Sequence, residues 1–482
     1  MSMSSSLSNA ISGLTAVSRA AELVSANIAN AMTESYGRRE ISLGAATVGG
    51  RGAGVQVNGV ERVVNQTAIA DRRLAQAELG YHDAKATVLS SIEQVVGIPN
   101  EASSLSAFMD RFDQSLITAS ANPSSSPRLS AVLDSAMALA GKFNQISDHL
   151  IEQRELADRS IGSQVAQMNA SLVDVDRLNR EIRDQVNAGG DASGLMDQRQ
   201  ALVDSISSIM PVQAVARDYG QIALVTPNGT TLVDYQAAHL EFSTTTVITP
   251  DMTVAGGSLS GLSIQGASSV SGSPLDAIAG GSLAAAFALR DQDLPALQAN
   301  LDALSRDLID RAVAADSTLA LGDAGLFTDG GDALDPLDES GLASRISVNL
   351  AVQPAAGGAV WRLRDGLNAT ASGAASDNSI LNAYEDAFES ARLPVSGLFS
   401  DAGSSSELIG DFISQIGQAR QTTDQRRSFE VARVQAFRDV EQAGGVDTDQ
   451  EMQKLLLIER NYAANAKVIQ AVDEMLQSLL RI

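Results

Sequence analysis

The chain has 482 residues, 44% of them hydrophobic, with a net charge of −24 and no cysteine. That length suits about three domains, and the missing cysteine excludes disulfides, thiol catalysis and Cys-ligated zinc. Only Lys85, Lys142, Lys454 and Lys467 are lysine, so the chain lacks the basic footprint of a nucleic-acid binder, and its acidic surface disfavours an anionic membrane.

Aromatic residues make up 4% of the chain, which favours helices packed through small side chains. No run of about 18 apolar residues is present, so no membrane span is expected. The opening MSMSSSLSNAISGLTAVSRAAELV lacks the basic and continuous apolar regions of a Sec-type signal peptide. By itself this suggests a cytoplasmic protein, and export by a route that reads no cleavable signal would look the same.

The first predicted helix carries a heptad stripe of Leu7, Ala10, Leu14, Val17, Ala21, Val24 and Ile28, with steps alternating between three and four. It ends in NIANAMTESYGRRE (27–40). Asn27, Asn30 and the approach to Thr33 share roughly one helix face there. After a Gly- and Val-rich stretch, 41–64, the pattern predicts helices near 66–96 and 103–120, broken by NPSSSP (122–127). A long helical region follows over 127–188. One stripe runs Leu129, Val132, Ala136, Leu139, Phe143, Ile146, Leu150 and another starts at Ile161. The step between them is a stutter. DQRQALVDSISSIM (197–210) reads as a further helix, closed by Pro211.

Residues 212–280 are rich in Thr, Ser, Gly and Val, and a Pro-Asn-Gly turn separates two β-type runs. Helix resumes with Leu294, Leu297, Leu301, Leu304 and Leu308 in heptad order. An irregular stretch, 320–375, contains ISVNLAV and VWRLRDG, both expected as strands. Helices return from about 378 to 440. The last helix again has a stripe: Leu455, Ile458, Tyr462, Asn465, Ile469, Val472, Leu476 and Leu479. Asn465 is its polar member, a type that fixes register at a cost in stability.

The expected fold is therefore mainly α with β inserts, in nested discontinuous domains. Residues 1–65 and 440–482 would form a terminal α-helical coiled-coil module. Residues 66–211, 282–320 and 376–439 would form a long-helix bundle, 212–281 a small outer β domain, and 321–375 an irregular insert. A paired module that orders on assembly explains uncharged, small-sided stripes at both ends better than a plain bundle core does.

No chemistry-bearing pattern stands out. His82, His149 and His239 lie far apart without metal-ligand spacing. The acidic run TDGGDALDPLDE (328–339) places Asp329, Asp332, Asp335 and Asp338 three apart, which does not match a calcium loop. GGRGAG (49–54) is not a dinucleotide fingerprint, Gly141–Lys142 is not a P-loop, and no G-x-S-x-G elbow exists. Many of the serines are read as lying in loops without a nearby histidine. No enzyme activity, metal or cofactor is expected.

The end of the first helix resembles a signature of bacterial flagellar axial proteins, the rod, hook and hook-associated subunits. Ala26-Asn27, Asn30, Thr33, Tyr36 and Arg38 carry the likeness. Glu34-Ser35 stand where that signature usually has Pro-Gly, and Gly37 follows the tyrosine. At the other end Gly445-Val446, Asp449, Glu451, Leu455, Tyr462, Ala466 and Val472-Asp473-Glu474-Met475-Leu476 look like the matching C-terminal signature. LMDQRQALVDSISSIM (195–210), GGSLAAAFALRDQDLPALQANLDAL and ARQTTDQRRSFEVARVQ (419–435) are similar to the hook-associated members.

That resemblance implies a structural subunit joining hook to filament. It would be exported through the flagellar type III apparatus and would assemble in a tubular ring through paired terminal helices. The implied partners are further copies of itself, the hook protein, the third hook-associated protein on the filament side, and a cytoplasmic chaperone on the C-terminal helix. The implied location is the extracellular flagellum. Another axial subunit, or a secreted adhesin with axial-type ends, is the alternative. The implied assembly residues are Leu7, Leu14, Val17, Val24, Asn27, Ile28, Asn30, Thr33, Tyr36, Leu455, Ile458, Tyr462, Ile469, Val472, Leu476 and Leu479.

Overall fold

A computed structural model describes residues 3–48, 51–99, 101–265 and 278–480. It is mainly helical, with small antiparallel sheets set between the helices. The chain opens with α1 (Met3–Ala29), turns into a hairpin of β1 (Arg38–Val48) and β2 (Arg51–Val63), and continues into α2 (Gln66–Val96). The Gly- and Val-rich stretch thus forms a hairpin, which carries two register shifts along its length. Such breaks blur the two-residue alternation that marks a strand in a sequence.

Next come α3 (Leu105–Ala121), α4 (Ser126–Asn187) and α5 (Ser193–Ile209). Ser104 caps α3 by accepting from Ala107 N at 3.2 Å, and α4 starts with Pro127 in its first turn. Both are standard helix openings. At 1.5 Å per residue, α4 is about 90 Å long. Then β3 (Gln213–Ala216), β4 (Ile222–Val225) and β5 (Thr231–Val233) form one sheet, with Pro227-Asn228-Gly229 turning β4 into β5. β6 (His239–Glu241) pairs β7 (Ser263–Gln265).

The chain then enters α6 (Gly281–Ala288), which runs through a π-turn at Leu289–Asp293 into α7 (Leu294–Ala315). Pro295 follows that turn and donates no backbone hydrogen bond, which favours the wider winding before it. β8 (Phe327–Asp329) pairs β9 (Ile346–Val348), with α8 (Leu342–Arg345) between them. VWRLRDG is not a strand: it forms a helical turn, α9 (Arg362–Asp365). Val360, Leu363 and, just beyond the segment, Leu367 recur at three and four, the helical period. The last helices are α10 (Ser379–Glu389), α11 (Ser405–Ala443) and α12 (Thr448–Leu480).

Two apolar cores lie along α4. The first gathers α3, the first half of α4, α7, α10 and the start of α11, and includes Phe327, Leu342, Ile346, Val348, Val352 and Leu363 from the irregular stretch. Phe112 meets Phe327 and Phe388 edge to face, at 5.6 and 5.3 Å between centroids. The second core joins the later half of α4 to α5, α6 and the β3–β7 segment.

Between the cores, where the stripe of α4 skips, the buried residues are polar except for Ala157. Arg154 gives hydrogen bonds to the carbonyls of Arg290 (3.0 Å) and Met252 (2.8 Å). Asp158 pairs with the fully buried Arg290 at 2.6 Å. Arg290 sits in the π-turn and also reaches Asp291 at 2.7 Å. The stutter is thus the place where a buried ionic cluster replaces the apolar seam.

Candidate functional site

The two ends of the chain lie side by side, α1 against α12, with the β1–β2 hairpin on the flank of α1. In α1 the fully buried residues are Ala10, Gly13, Ala16, Leu23, Val24 and Asn27. Leu7, Leu14, Val17 and Ile28 are only half-buried. The buried face is therefore turned about one residue from the heptad stripe, because α1 must cover a hairpin as well as a helix. A Cβ on Gly13 would stand 2.9 Å from the Asn465 amide, so Gly13 allows the polar member of the α12 stripe to seat against α1 backbone.

On α12, Leu455, Ile458 and Ile469 are half-buried and Val472 is buried. Tyr462, Leu476 and Leu479 are 53%, 40% and 56% exposed. Met452, Leu456, Leu457 and Met475 are exposed as well. One copy of the chain thus leaves much of the apolar surface of α12 uncovered.

The end of α1 is held by one side chain. Asn27 is 1% exposed. Its Nδ2 donates to Arg39 O at 2.9 Å and to Glu451 Oε2 at 3.0 Å. Its Oδ1 accepts from Arg39 N at 3.0 Å and from the Tyr36 hydroxyl at 2.9 Å. The amide therefore uses every donor and acceptor it has, and it ties α1, β1 and α12 together. Glu451, buried in the first turn of α12, is balanced by Lys454 at 2.7 Å. Burial pushes the Tyr36 phenol up from its usual range, and the Arg39 guanidinium stacked 4.9 Å over its ring opposes this.

The other residues of the motif do less. Asn30 Nδ2 donates back to Ala26 O at 2.9 Å and closes the helix. Thr33 is exposed, and its side chain makes one long contact, 3.4 Å, to Asn30. Ser35 adopts φ +65°, the left-handed conformation that a glycine would take without strain. At Gly37 an added Cβ would meet Arg62 Nε at 2.4 Å, so the absence of a side chain lets the Arg62 guanidinium lie across the turn.

Arg62 begins a second, larger network that sequence reasoning missed. It donates to Asp197 Oδ1 at 2.7 Å and to Gln200 Oε1 at 2.5 Å. Asp197 also takes Gly37 N at 2.9 Å and Arg39 Nη2 at 3.0 Å. Gln200 reaches Glu441 at the end of α11, at 3.2 Å. Arg72 bridges Glu441 (2.6 Å) and Asp204 (2.9 Å), and Arg73 holds Asp204 at 2.7 Å. Asp197, Gln200 and Asp204 are three and four apart, so one face of α5 presents all three. That spacing was readable in DQRQALVDS; its partners, on β1, β2, α2 and α11, were not.

The linker before α12 is built for a sharp turn. Gly444–Gly445 end α11, and Asp447 Oδ1 caps α12 by accepting from Asp449 N (2.9 Å) and Gln450 N (3.1 Å). This places Glu451 beside Asn27.

The closest approach to catalytic geometry is a pairing the sequence reading did not expect. Ser91 Oγ lies 2.8 Å from His149 Nε2, and His149 Nδ1 lies 3.4 Å from Glu152. Ser91 is inside α2, where neighbouring amides are spent on the helix ladder, so no oxyanion donors flank it. Among the described residues no group of three or more His, Asp or Glu could hold a metal ion, and no helix is long and apolar enough to cross a membrane. Asp329 of the acidic run is taken up by Arg345 at 2.8 Å.

Residues 89–317 match the family described as the flagellar hook-associated protein FlgK helical domain. Residues 442–482 match the flagellar basal body rod FlgEFG protein C-terminal family. Flagellar hook-associated protein 1 of Bacillus subtilis (strain 168) is 30% identical over 240 residues, covering 47% of each chain. That of Salmonella typhimurium is 32% identical over 243 residues, 49% of this chain and 44% of its own. The chain spans about half the length of these relatives. A solved structure, the flagellar hook junction protein FlgK from Burkholderia pseudomallei, aligns with TM-score 0.45 and 21% identity over 54% of this chain and 47% of its own.

Proposed function

We propose that this chain, which carries the helical domain of flagellar hook-associated proteins, is a structural subunit of the bacterial flagellum at the junction of hook and filament. The observation that carries the reading is the buried Asn27 side chain, which joins both ends of the chain through Arg39 and Glu451. A protein that works by pairing its termini needs such a joint, and a catalyst does not.

In this reading α1, the hairpin and α12 form the inner part of a tube wall, and the network on α5 sets their angle to the helical body. The exposed Met452, Leu456, Leu457, Tyr462, Met475 and Leu479 would be covered by neighbouring copies in the ring, and by a chaperone before export. The hook protein on one side and the third hook-associated protein on the other are the partners that follow. The protein would act outside the cell.

The test is deletion of the gene, with electron microscopy of the cells and an assay for flagellin in the medium. Hooks without filaments, with flagellin lost to the medium, are expected. Missing hooks would assign an earlier axial subunit instead, and normal filaments would reject the junction role. In the same strain, Asn27→Ala should be secreted at the normal level yet fail to restore filaments. Asn30→Ala, which breaks a bond within one helix, should have the milder effect.

A further inference from the structure

The latter half of α11 pairs with α2 on one side and is bare on the other. Between positions 420 and 438 five arginines face two acids, in a chain whose net charge is −24. Arg420 is spent on Glu93 and Arg427 on Asp83. Arg426 and Arg438 have no hydrogen-bond or ion-pair partner among the described residues. Phe429 is 63% exposed. Arg433 lies between two rings, 5.8 Å from the centroid of Phe429 and 5.9 Å from that of Phe437. Arg426, Phe429, Arg433 and Phe437 fall three or four apart, so they form one stripe. Beside it is a groove of about 600 Å³ that includes His82 and Arg426. Its acids are largely answered: Arg433 holds Glu430 at 2.9 Å, and burial pushes the Glu78 carboxyl up. Exposed arginine and aromatic side chains set around a groove are the composition of an interface core.

The opposite charge lies at the other end of the same helix. Asp110 on α3 and Glu385 and Glu389 on α10 lie near Asp113, and Asp386 adjoins Glu385. None of these four has an ion-pair partner among the described residues. The neighbouring Arg111 is engaged by the carbonyls of Ala102 and Ala107. Ser406, which bonds Asp113 at 3.2 Å, is in the first turn of α11. From there to Arg426 is about 30 Å along the helix. The two patches cannot meet within one chain. Two patches of opposite sign at opposite ends of one rigid element make a heterologous contact between copies.

We propose that the Arg426–Phe429–Arg433–Phe437 stripe of α11 docks on the acidic α3–α10 edge of a second copy of this chain, head to tail. The proposal rests on the self-assembly part of the junction reading and adds the surfaces that would meet outside the terminal helices. Arg426 and Arg438 would find the carboxylates of the neighbour, and Phe429 would be buried.

The chain has no native cysteine, which makes the test direct. The full-length double variant Arg426→Cys/Asp386→Cys and each single variant are oxidised with diamide at high protein concentration and run on non-reducing gels. Circular dichroism confirms equal folding. The double variant should form a ladder of linked dimers, trimers and larger species, at least tenfold above either single variant. Adding 0.5 M salt, which shortens charge interactions to a few ångströms, or Phe429→Ala, should cut the ladder severalfold. No ladder, dimers from one single variant alone, or a ladder indifferent to salt would each overturn the contact. Absence of the ladder from a chain that still restores filaments in the deletion strain would reject this contact and leave the junction role standing. A ladder from a chain that a normally flagellated deletion strain does not need would reject the junction role alone.

Discussion

Ser35 shows how one position stores strain at the joint. Its φ of +65° costs an L-residue with a side chain roughly 1–2 kcal/mol. Ser35→Gly should therefore stabilise the chain, by about 0.5–1 kcal/mol after the added freedom of the unfolded glycine is counted, measured as a higher urea midpoint. A lower midpoint would mean that the Ser35 side chain makes a contact worth more than the strain. Asp113 makes a different prediction. Burial pushes its carboxyl up to about 6 from an ordinary 3.8, with the Ser406 hydroxyl working against that rise. The folded state then holds the proton more tightly than the unfolded state, so stability present below about pH 4 is lost as the pH rises through 6. Asp113→Asn should raise Tm at pH 7, change it little at pH 4, and flatten the profile between. Equal gains at both pH values would assign the effect to packing instead.

At the scale of elements, α4 is the informative case. Its two stripes were legible because each apolar position recurs every three or four residues, and both stripes are buried. What fills the gap between them was not legible, since Arg154 and Asp158 find their partners on the α6–α7 π-turn and the loop before β7. Asp158→Ala would leave the buried Arg290 with Asp291 as its one carboxylate partner, beside the Ser260 carbonyl. We expect a loss of about 3 kcal/mol, the low end for breaking a buried pair, read from denaturant unfolding. Asp158→Asn should lose less, since it keeps the acceptor for Thr245 N, now 2.7 Å away. The α1 seam follows the same logic. The heptad identified which helix would pair, but the hairpin on its flank turned the buried face toward Gly13 and Ala16.

Across the whole molecule, burial is unequal. α4 runs through both cores, whereas α12 in a single copy is covered along one side and buries only Glu451 and Val472 fully. Amide exchange should therefore be fastest over Met475–Leu480, slower near Asn27 and Glu451, and slowest in the middle of α4. Uniform protection along α12 would mean that its open face is already covered in solution, by another copy. The nesting of the chain, ends outside and β segments in the middle, follows from the order of elements. The sharing of cores does not. Phe327 and Leu342 come from a stretch without periodicity, yet they complete the first core.

The sequence by itself determined the helices, the mainly α class, the absence of thiol chemistry and the likeness of both ends to axial subunits. These are local or compositional properties, carried by periodicity, capping residues and short motifs. Only the tertiary structure decided that Asn27 would bond Glu451 from the far end of the chain, that Asp197, Gln200 and Asp204 would meet four arginines from three elements, and that Tyr462 and Leu479 would stay exposed in a single copy. A polar side chain states what it can bond but not with whom. A stripe states that a face will be covered but not by how many partners. Those choices are made when distant segments compete for the same surface.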